Sequence, residues 1–145
     1  MNAETVFSIA NLVALVGWLL LIFAPRWKWT QKIVVSGAVS LLLSVIYLVL
    51  IVLFFGKAEG GFSSLADVMK LFTNPYAALA GWIHYLAFDL FVGSWEVRDA
   101  GKRGISHWFV MPCLVLTFLL GPIGFLLYRI LRLVVPNKNG DGMMN

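Results

Sequence analysis

The chain is poor in most of what soluble catalysis draws on. Of its 145 residues only 12% are charged, two are histidine and one is cysteine. The single Cys113 excludes an internal disulfide, and without a CxxC pair no zinc or thiol-redox motif exists. There is no Walker loop, no Gly-x-Gly-x-x-Gly loop and no Gly-x-Ser-x-Gly elbow, which removes nucleotide use and serine-hydrolase chemistry. With two histidines and neither a His-x-x-x-His nor a Glu-x-x-His pair, a histidine-rich di-iron centre cannot be assembled. Polar runs are short too. None exceeds about 20 residues, too little for a separate soluble domain.

What is present is apolar. Hydrophobic residues make up 61% of the chain and the mean hydropathy is +0.89, against about 45–50% apolar residues in a soluble domain. A chain this small has too much surface to hide so many apolar side chains. It reads as an all-α, polytopic, integral membrane protein. A net charge of +4 and a pI near 9.5 would suit nucleic acid. The Lys and Arg residues stand between apolar runs, however, where they anchor helix ends. Membrane lipid, not nucleic acid, is the expected partner.

Four stretches have the roughly 20 apolar residues that a crossing needs: 6–24, 33–55, 76–97 and 108–128. They predict a bundle of four transmembrane helices in one domain, 1–136, followed by a flexible polar tail, 137–145. The first is read as a retained span, since Glu4 is the only charge before it and no small-residue cleavage site precedes Arg26. No Arg- and Ser-rich transit segment is expected. The second is entered from Thr30 as N-cap and carries Ser36, Ser40 and Ser44 beside Gly37. That stripe is read as a helix-packing surface, with a polar substrate path as the alternative. The third opens with Asn74-Pro75, a cap followed by proline at the first helical position.

The fourth opens after Ser106, contains Pro112 and Gly121-Pro122-Ile123-Gly124, and should kink or break near Gly121. Between spans two and three, Phe62, Leu65, Met69 and Phe72 share a helical face, and Ser64-Leu65-Ala66-Asp67 fits a capping box. A short interfacial helix is expected there, as connector or as lid. Four crossings put Arg26, Lys28, Lys32, Arg98, Lys102 and Arg103 on one side, and Lys57, Lys70, Arg129, Arg132 and Lys138 on the other. Six against five is nearly level, so the acidic flank before the first helix decides. It predicts both ends of the chain on the non-cytoplasmic side.

Ionisable groups within a span are costly and therefore functional suspects. The third span places Tyr85, Asp89, Val92 and Glu96 on one stripe, and His84, Phe88, Phe91 and Trp95 on the next. Asp89 lies near mid-span, where a bare carboxylate is untenable: it is protonated, paired, or open to a wet cavity. His84 and Asp89 are expected to face the bundle interior, as a site or as a hydrogen-bonded packing pair. Glu96 and Asp99 lie nearer the surface beside Arg98 and Lys102, where ion pairing explains them. A mononuclear metal site from His84, Asp89 and His107 is the competing reading. Cys113 reads as a small buried apolar residue. The aromatic residues Phe88, Phe91, Trp95, Trp108 and Phe109 suit a long apolar ligand, while Trp27, Trp29 and Trp108 also suit an interfacial belt.

The run Trp82-Ile83-His84-Tyr85-Leu86-Ala87-Phe88-Asp89-Leu90-Phe91-Val92-Gly93, then Trp95-Glu96 and Arg98-Asp99, resembles the abscisic-acid-deficient-four-like family. The likeness continues through Gly104-Ile105-Ser106-His107, Pro112-Cys113-Leu114-Val115-Leu116-Thr117-Phe118 and Gly121-Pro122-Ile123-Gly124. It implies carotenoid chemistry, the conversion of an epoxy-carotenoid (violaxanthin) to an allenic product (neoxanthin). That is an isomerisation, needing no redox cofactor and no metal, only an acid and a base beside an apolar tunnel. The resemblance implies His84, Asp89 and His107 as the proton-handling residues, with Tyr85, Phe88, Phe91, Trp95, Glu96 and Thr117 lining a substrate site. Without a transit segment, the expected location is a prokaryotic plasma membrane or a thylakoid-type membrane. Two other functions stay open: a non-catalytic pigment-binding or assembly subunit, and a proton-coupled transporter with Asp89 as relay. The transporter would need a homo-oligomer to enclose a path.

Overall fold

The computed structural model describes residues 2–135; the polar tail expected at 137–145 lies outside the described residues. Among these the regular structure is entirely helical. Helix α1 (Ala3–Phe23) starts at Asn2, whose Oδ1 accepts from the Thr5 amide at 2.9 Å. A π-helical turn, Thr30–Val35, leads through Gly37 (φ +88°) into α2 (Ala38–Phe54). Thr30 does not cap this helix; it is buried within the π-turn, which begins after Trp29. A short 3-10 turn (Phe55–Lys57) and a loop then precede α3 (Leu65–Leu71).

Ser64 caps α3 as expected, and its hydroxyl makes both bonds to Asp67. Ser64 Oγ accepts from the Asp67 amide at 3.1 Å and donates to the Asp67 carboxylate at 2.8 Å. Leu65 and Met69 stay exposed on the outer face of α3, as an interfacial helix requires. Helix α4 (Pro75–Arg103) is capped by Asn74, whose Oδ1 accepts from Tyr76 and Ala77. It runs on well past the span expected from hydropathy. Ser106 precedes α5 (His107–Leu120), but its side chain makes no cap bond. The last helix is α6 (Pro122–Val134).

By length and composition, α1 with 21 residues and α4 with 29 are able to cross a membrane. Helices α2, α5 and α6 have 17, 14 and 13 residues. The α5 and α6 helices are therefore only about 20 Å long each, short of a hydrocarbon core of about 30 Å. The expected fourth span is two helices, not one.

Helix α4 is the axis on which α1, α2, α5 and α6 pack. Helix α1 lies parallel to it. Trp82 Nε1 donates to Asn11 Oδ1 at 3.0 Å near one end, and Trp18 packs on Gly93 further along. A Cβ on Gly93 would come within 2.6 Å of the Trp18 ring. Helix α2 runs antiparallel to α4, with Phe54 stacked on Tyr76 at 3.9 Å. The buried Ser94 hydroxyl donates to the Val34 carbonyl at 3.0 Å, tying the π-turn to α4.

The break at Gly121 reverses the chain. Gly121 has φ +46° and ψ −95°, a conformation that favours glycine, and Pro122 then supplies the fixed φ of a new first turn. Helix α5 descends along α4 until Gly121 reaches Asp89, and α6 climbs back beside it. Phe125 packs on Trp95 at 5.8 Å, and the Tyr128 hydroxyl donates to Asp99 at 2.8 Å. Gly124 makes this tight V feasible, since a Cβ there would overlap the Thr117 backbone amide and hydroxyl. The end of α6 consequently lies at the opposite end of the bundle from the start of α1. The sequence predicts both ends of the chain on one side; among the described residues, the start of α1 and the end of α6 lie at opposite ends of the bundle.

Candidate functional site

Helix α4 carries two different faces. On the face towards the α5–α6 hairpin, Tyr85, Asp89, Glu96 and Asp99 follow one another at helical spacing, so the polar stripe expected from the sequence meets a single partner. At its lower end Asp89 lies against the elbow. Its carboxylate oxygens would stand 3.0 Å from a Cβ on Gly121. Tyr85 interacts with Asp89 and donates its hydroxyl to the Phe118 carbonyl at 3.2 Å. Asp89 as a residue is partly exposed, yet its Oδ2 is sealed and has no hydrogen-bond partner. Such an oxygen needs a proton, a water or a ligand to offset its lost hydration.

Two turns further on, Glu96 is fully buried. Its Oε1 accepts from Thr117 Oγ1 at 3.0 Å, while Oε2 has no partner. The expectation of surface ion pairing with Arg98 or Lys102 fails for Glu96, because its position on the stripe turns it into the hairpin seam. Pairing does hold Asp99, and Arg103 and Arg132 take part in it. Arg103 Nε and Arg132 Nε lie 3.0 and 3.1 Å from its Oδ2, joined by Tyr128.

The face towards α2 is apolar. A cleft of about 540 Å³ opens between the Ser36–Ser44 stripe and Ala87, Phe88 and Phe91. Ser36 and Ser44 return their hydroxyls to the Lys32 and Ser40 carbonyls of their own helix. A second cleft, about 290 Å³, lies beneath α3 between Tyr47, Phe54, Phe72, Tyr76 and His84. His84 is exposed on the outside of α4, between the Tyr47 and Phe88 rings at 5.6 and 4.7 Å. It does not face the interior with Asp89, because five residues along a helix turn it well away from that carboxyl. His107 lies at the other end of the bundle, its Nε2 2.8 Å from the Ile22 carbonyl. The three sequence candidates for proton transfer thus stand in three places. Among the described residues no three His, Cys, Asp or Glu side chains converge, so the His84–Asp89–His107 metal triad is not assembled.

Of the expected lining residues, Tyr85, Glu96 and Thr117 gather on the seam with Asp89, Trp95 packs between α4 and α6, and Phe88 and Phe91 line the α2 cleft. Gly124, read from the sequence as part of the helix break, and Tyr128 and Arg132, read as a span end and a flanking cation, belong to the same assembly. The Gly-x-x-Gly spacing of 121 and 124 was their available signal. Cys113 is buried, as expected.

This geometry defines an all-helical protein with apolar outer faces and a carboxyl-bearing seam inside it. Residues 5–128 match the model of the ABA DEFICIENT 4-like family, and the chain belongs to that family. It is 22% identical over 145 residues to Protein ABA DEFICIENT 4, chloroplastic, of Arabidopsis thaliana, a match covering 94% of this chain and 64% of that protein. No solved structure matches the chain.

Proposed function

We propose that the chain is a membrane-embedded protein that acts on a carotenoid-like isoprenoid, by cofactor-free isomerisation of an epoxy-carotenoid to an allenic product. The observation that carries this reading is Asp89: a mid-helix carboxyl, partly open, with one sealed and unpartnered oxygen at the Gly121 elbow. Family membership supports the substrate class. In the proposed step the Asp89 carboxyl gives its proton to the epoxide oxygen, and the carbon–oxygen bond breaks to leave an alcohol. A proton then leaves the polyene carbon as the allene forms, and the Asp89 carboxylate takes it up. One group handles both transfers, atoms balance, and no electron enters or leaves. Tyr85 positions the carboxyl. In this proposal His84 and His107 take no part in the proton transfer.

The test is to supply epoxy-carotenoid to membranes containing only this protein and to analyse the pigments. Asp89→Asn keeps the size and hydrogen-bonding capacity, so it should insert and retain pigment while losing about 100-fold or more of turnover. Turnover at the wild-type rate would remove Asp89 from the chemistry. A second reading, pigment binding without catalysis, is favoured by the α2–α4 cleft, whose lining holds no ionisable side chain. Pigment that co-purifies and never changes would select it. A multi-pass protein of a prokaryotic plasma membrane or a thylakoid-type membrane is the location that fits either reading.

A further inference from the structure

Reversal of the chain at Gly121 redistributes charge along the bundle. With a fourth crossing, the cations divide almost evenly between the two ends. With α6 folded back beside α4, Arg129 and Arg132 join the three cations that follow α1 and the three that close α4. Arg132 is fixed there by its 3.1 Å contact with Asp99. Eight of the ten Lys and Arg within the described residues then lie at one end, against Lys57 and Lys70 at the other. The second end also carries Glu4, Glu59 and Asp67, and Lys70 is engaged by Glu59 at 2.9 Å. Exposed Trp27, Trp29 and Trp108 ring the basic end, and Lys28 and Lys32 lie over the Trp29 ring. Indole rings and cations together are what a headgroup layer selects.

We infer that α5 and α6 form a re-entrant hairpin, entering and leaving the membrane through the basic end, and that this end rests on the anionic headgroups of the cytoplasmic leaflet. Each arm is about 20 Å long, enough to reach Asp89 and not enough to cross. Gly121, where the helix breaks, is buried against α4, as non-helical backbone at that depth requires, while the apolar Leu120, Pro122 and Ile123 beside it face outward. With α2, lengthened by the turns that flank it, taken as the third crossing, the positive-inside bias, indecisive for four crossings, becomes strong for three crossings and a hairpin. The inference rests on the membrane reading proposed above.

The test uses the full chain expressed in bacterial cells, with one cysteine added at a time: Lys28→Cys after α1, Glu59→Cys before α3, Val134→Cys at the end of α6. The native Cys113 is buried and serves as background. Glu59→Cys should react with a membrane-impermeant maleimide in intact spheroplasts. Lys28→Cys and Val134→Cys should react only after permeabilisation, and Leu133→Cys, also exposed, should repeat the result. Reaction of Val134→Cys and Leu133→Cys from the same side as Glu59→Cys would overturn the hairpin. Reaction of Lys28→Cys in intact spheroplasts would overturn the orientation. An alkaline carbonate wash separates these failures from that of the membrane reading, which alone releases the protein from the pellet. In detergent, anionic phospholipid should raise the melting temperature by several degrees more than zwitterionic lipid. Lys28→Gln with Lys32→Gln should shrink that difference, and equal shifts for both lipids in the wild type would overturn the headgroup assignment.

Discussion

The two faces of α4 are built from the same helix and behave as opposites. Towards the hairpin, small residues bring backbones close: Gly124 leaves no room above Thr117, and Gly121 leaves room only for the Asp89 carboxyl. Towards α2, the same helix presents Phe88 and Phe91 to an open cleft of about 540 Å³. The carboxyls of the stripe lie where packing is tightest, and the α2–α4 cleft lies where no group ionises. Carboxyls gain directed positions from a tight seam, whereas a long ligand needs the looser side. A substrate served by both must therefore reach Asp89 at the elbow with one end and lie along the outside of α4 with its length.

The contrast is most exposed at Gly124. Gly124→Val should cost about 3 kcal/mol or more, since the clash is with backbone and cannot be relieved by a rotamer change. Loss of a cooperative thermal transition would be the readout; a wild-type melting curve would show that the V is not closed as described. Next comes the seam itself. Thr117→Val deprives Glu96 of its one hydrogen-bond donor and should cost about 1–3 kcal/mol, while Thr117→Ser should recover most of it. If valine and serine melt alike, the buried bond contributes nothing.

On the open face the expectation reverses. Phe88→Ala with Phe91→Ala removes half-exposed rings, so the loss of stability should stay near that of surface substitutions, about 0.5 kcal/mol each. Co-purified pigment should fall several-fold in the same variant. Pigment content unchanged alongside a large loss of stability would mean that the cleft is core and not a ligand path.

The smallest effect belongs outside the bundle, before α3. The Lys70 ammonium, hydrogen-bonded to Glu59 at 2.9 Å, holds that carboxyl below its ordinary value. A depressed carboxylate favours the folded loop above its unfolded value, and that preference is lost as pH falls through the lowered one. Both groups are exposed, so screening leaves little of it. Lys70→Ala should raise the Glu59 titration midpoint by NMR towards the ordinary carboxylate value and leave the melting temperature at pH 7 unmoved. An unchanged midpoint would remove the pair.

Local punctuation was legible in the sequence: Asn74-Pro75 opens α4, Ser64 to Asp67 caps α3, and Gly121-Pro122 ends α5. These signals depend on neighbours in the chain, and they are written there. The direction taken after Gly121 was not legible, because Gly-Pro within an apolar run is equally compatible with a kink that continues across. It is decided by Gly124 on Thr117 and by Asp99 holding Tyr128 and Arg132, contacts between distant segments. The candidate site divided in the same way. Helical spacing placed Tyr85, Asp89 and Glu96 on one stripe, and the hairpin covers that stripe. Spacing also set His84 on the neighbouring stripe, but could not say that α2, with an open cleft, would be its neighbour.

The cluster in which Asp99 holds Arg103, Arg132 and Tyr128 has one more consequence. Asp89 and Asp99 are ten positions apart on one helix, a rise of about 15 Å, which is half of a hydrocarbon core. A charged clamp that settles at the headgroup boundary thus suspends the Asp89 carboxyl at the bilayer midplane, like a plumb line of fixed length. Under the proposed function, bilayer thickness then becomes a variable of the reaction: in a thicker membrane the Asp89 carboxyl hangs short of the centre, and in a thinner one it passes beyond it.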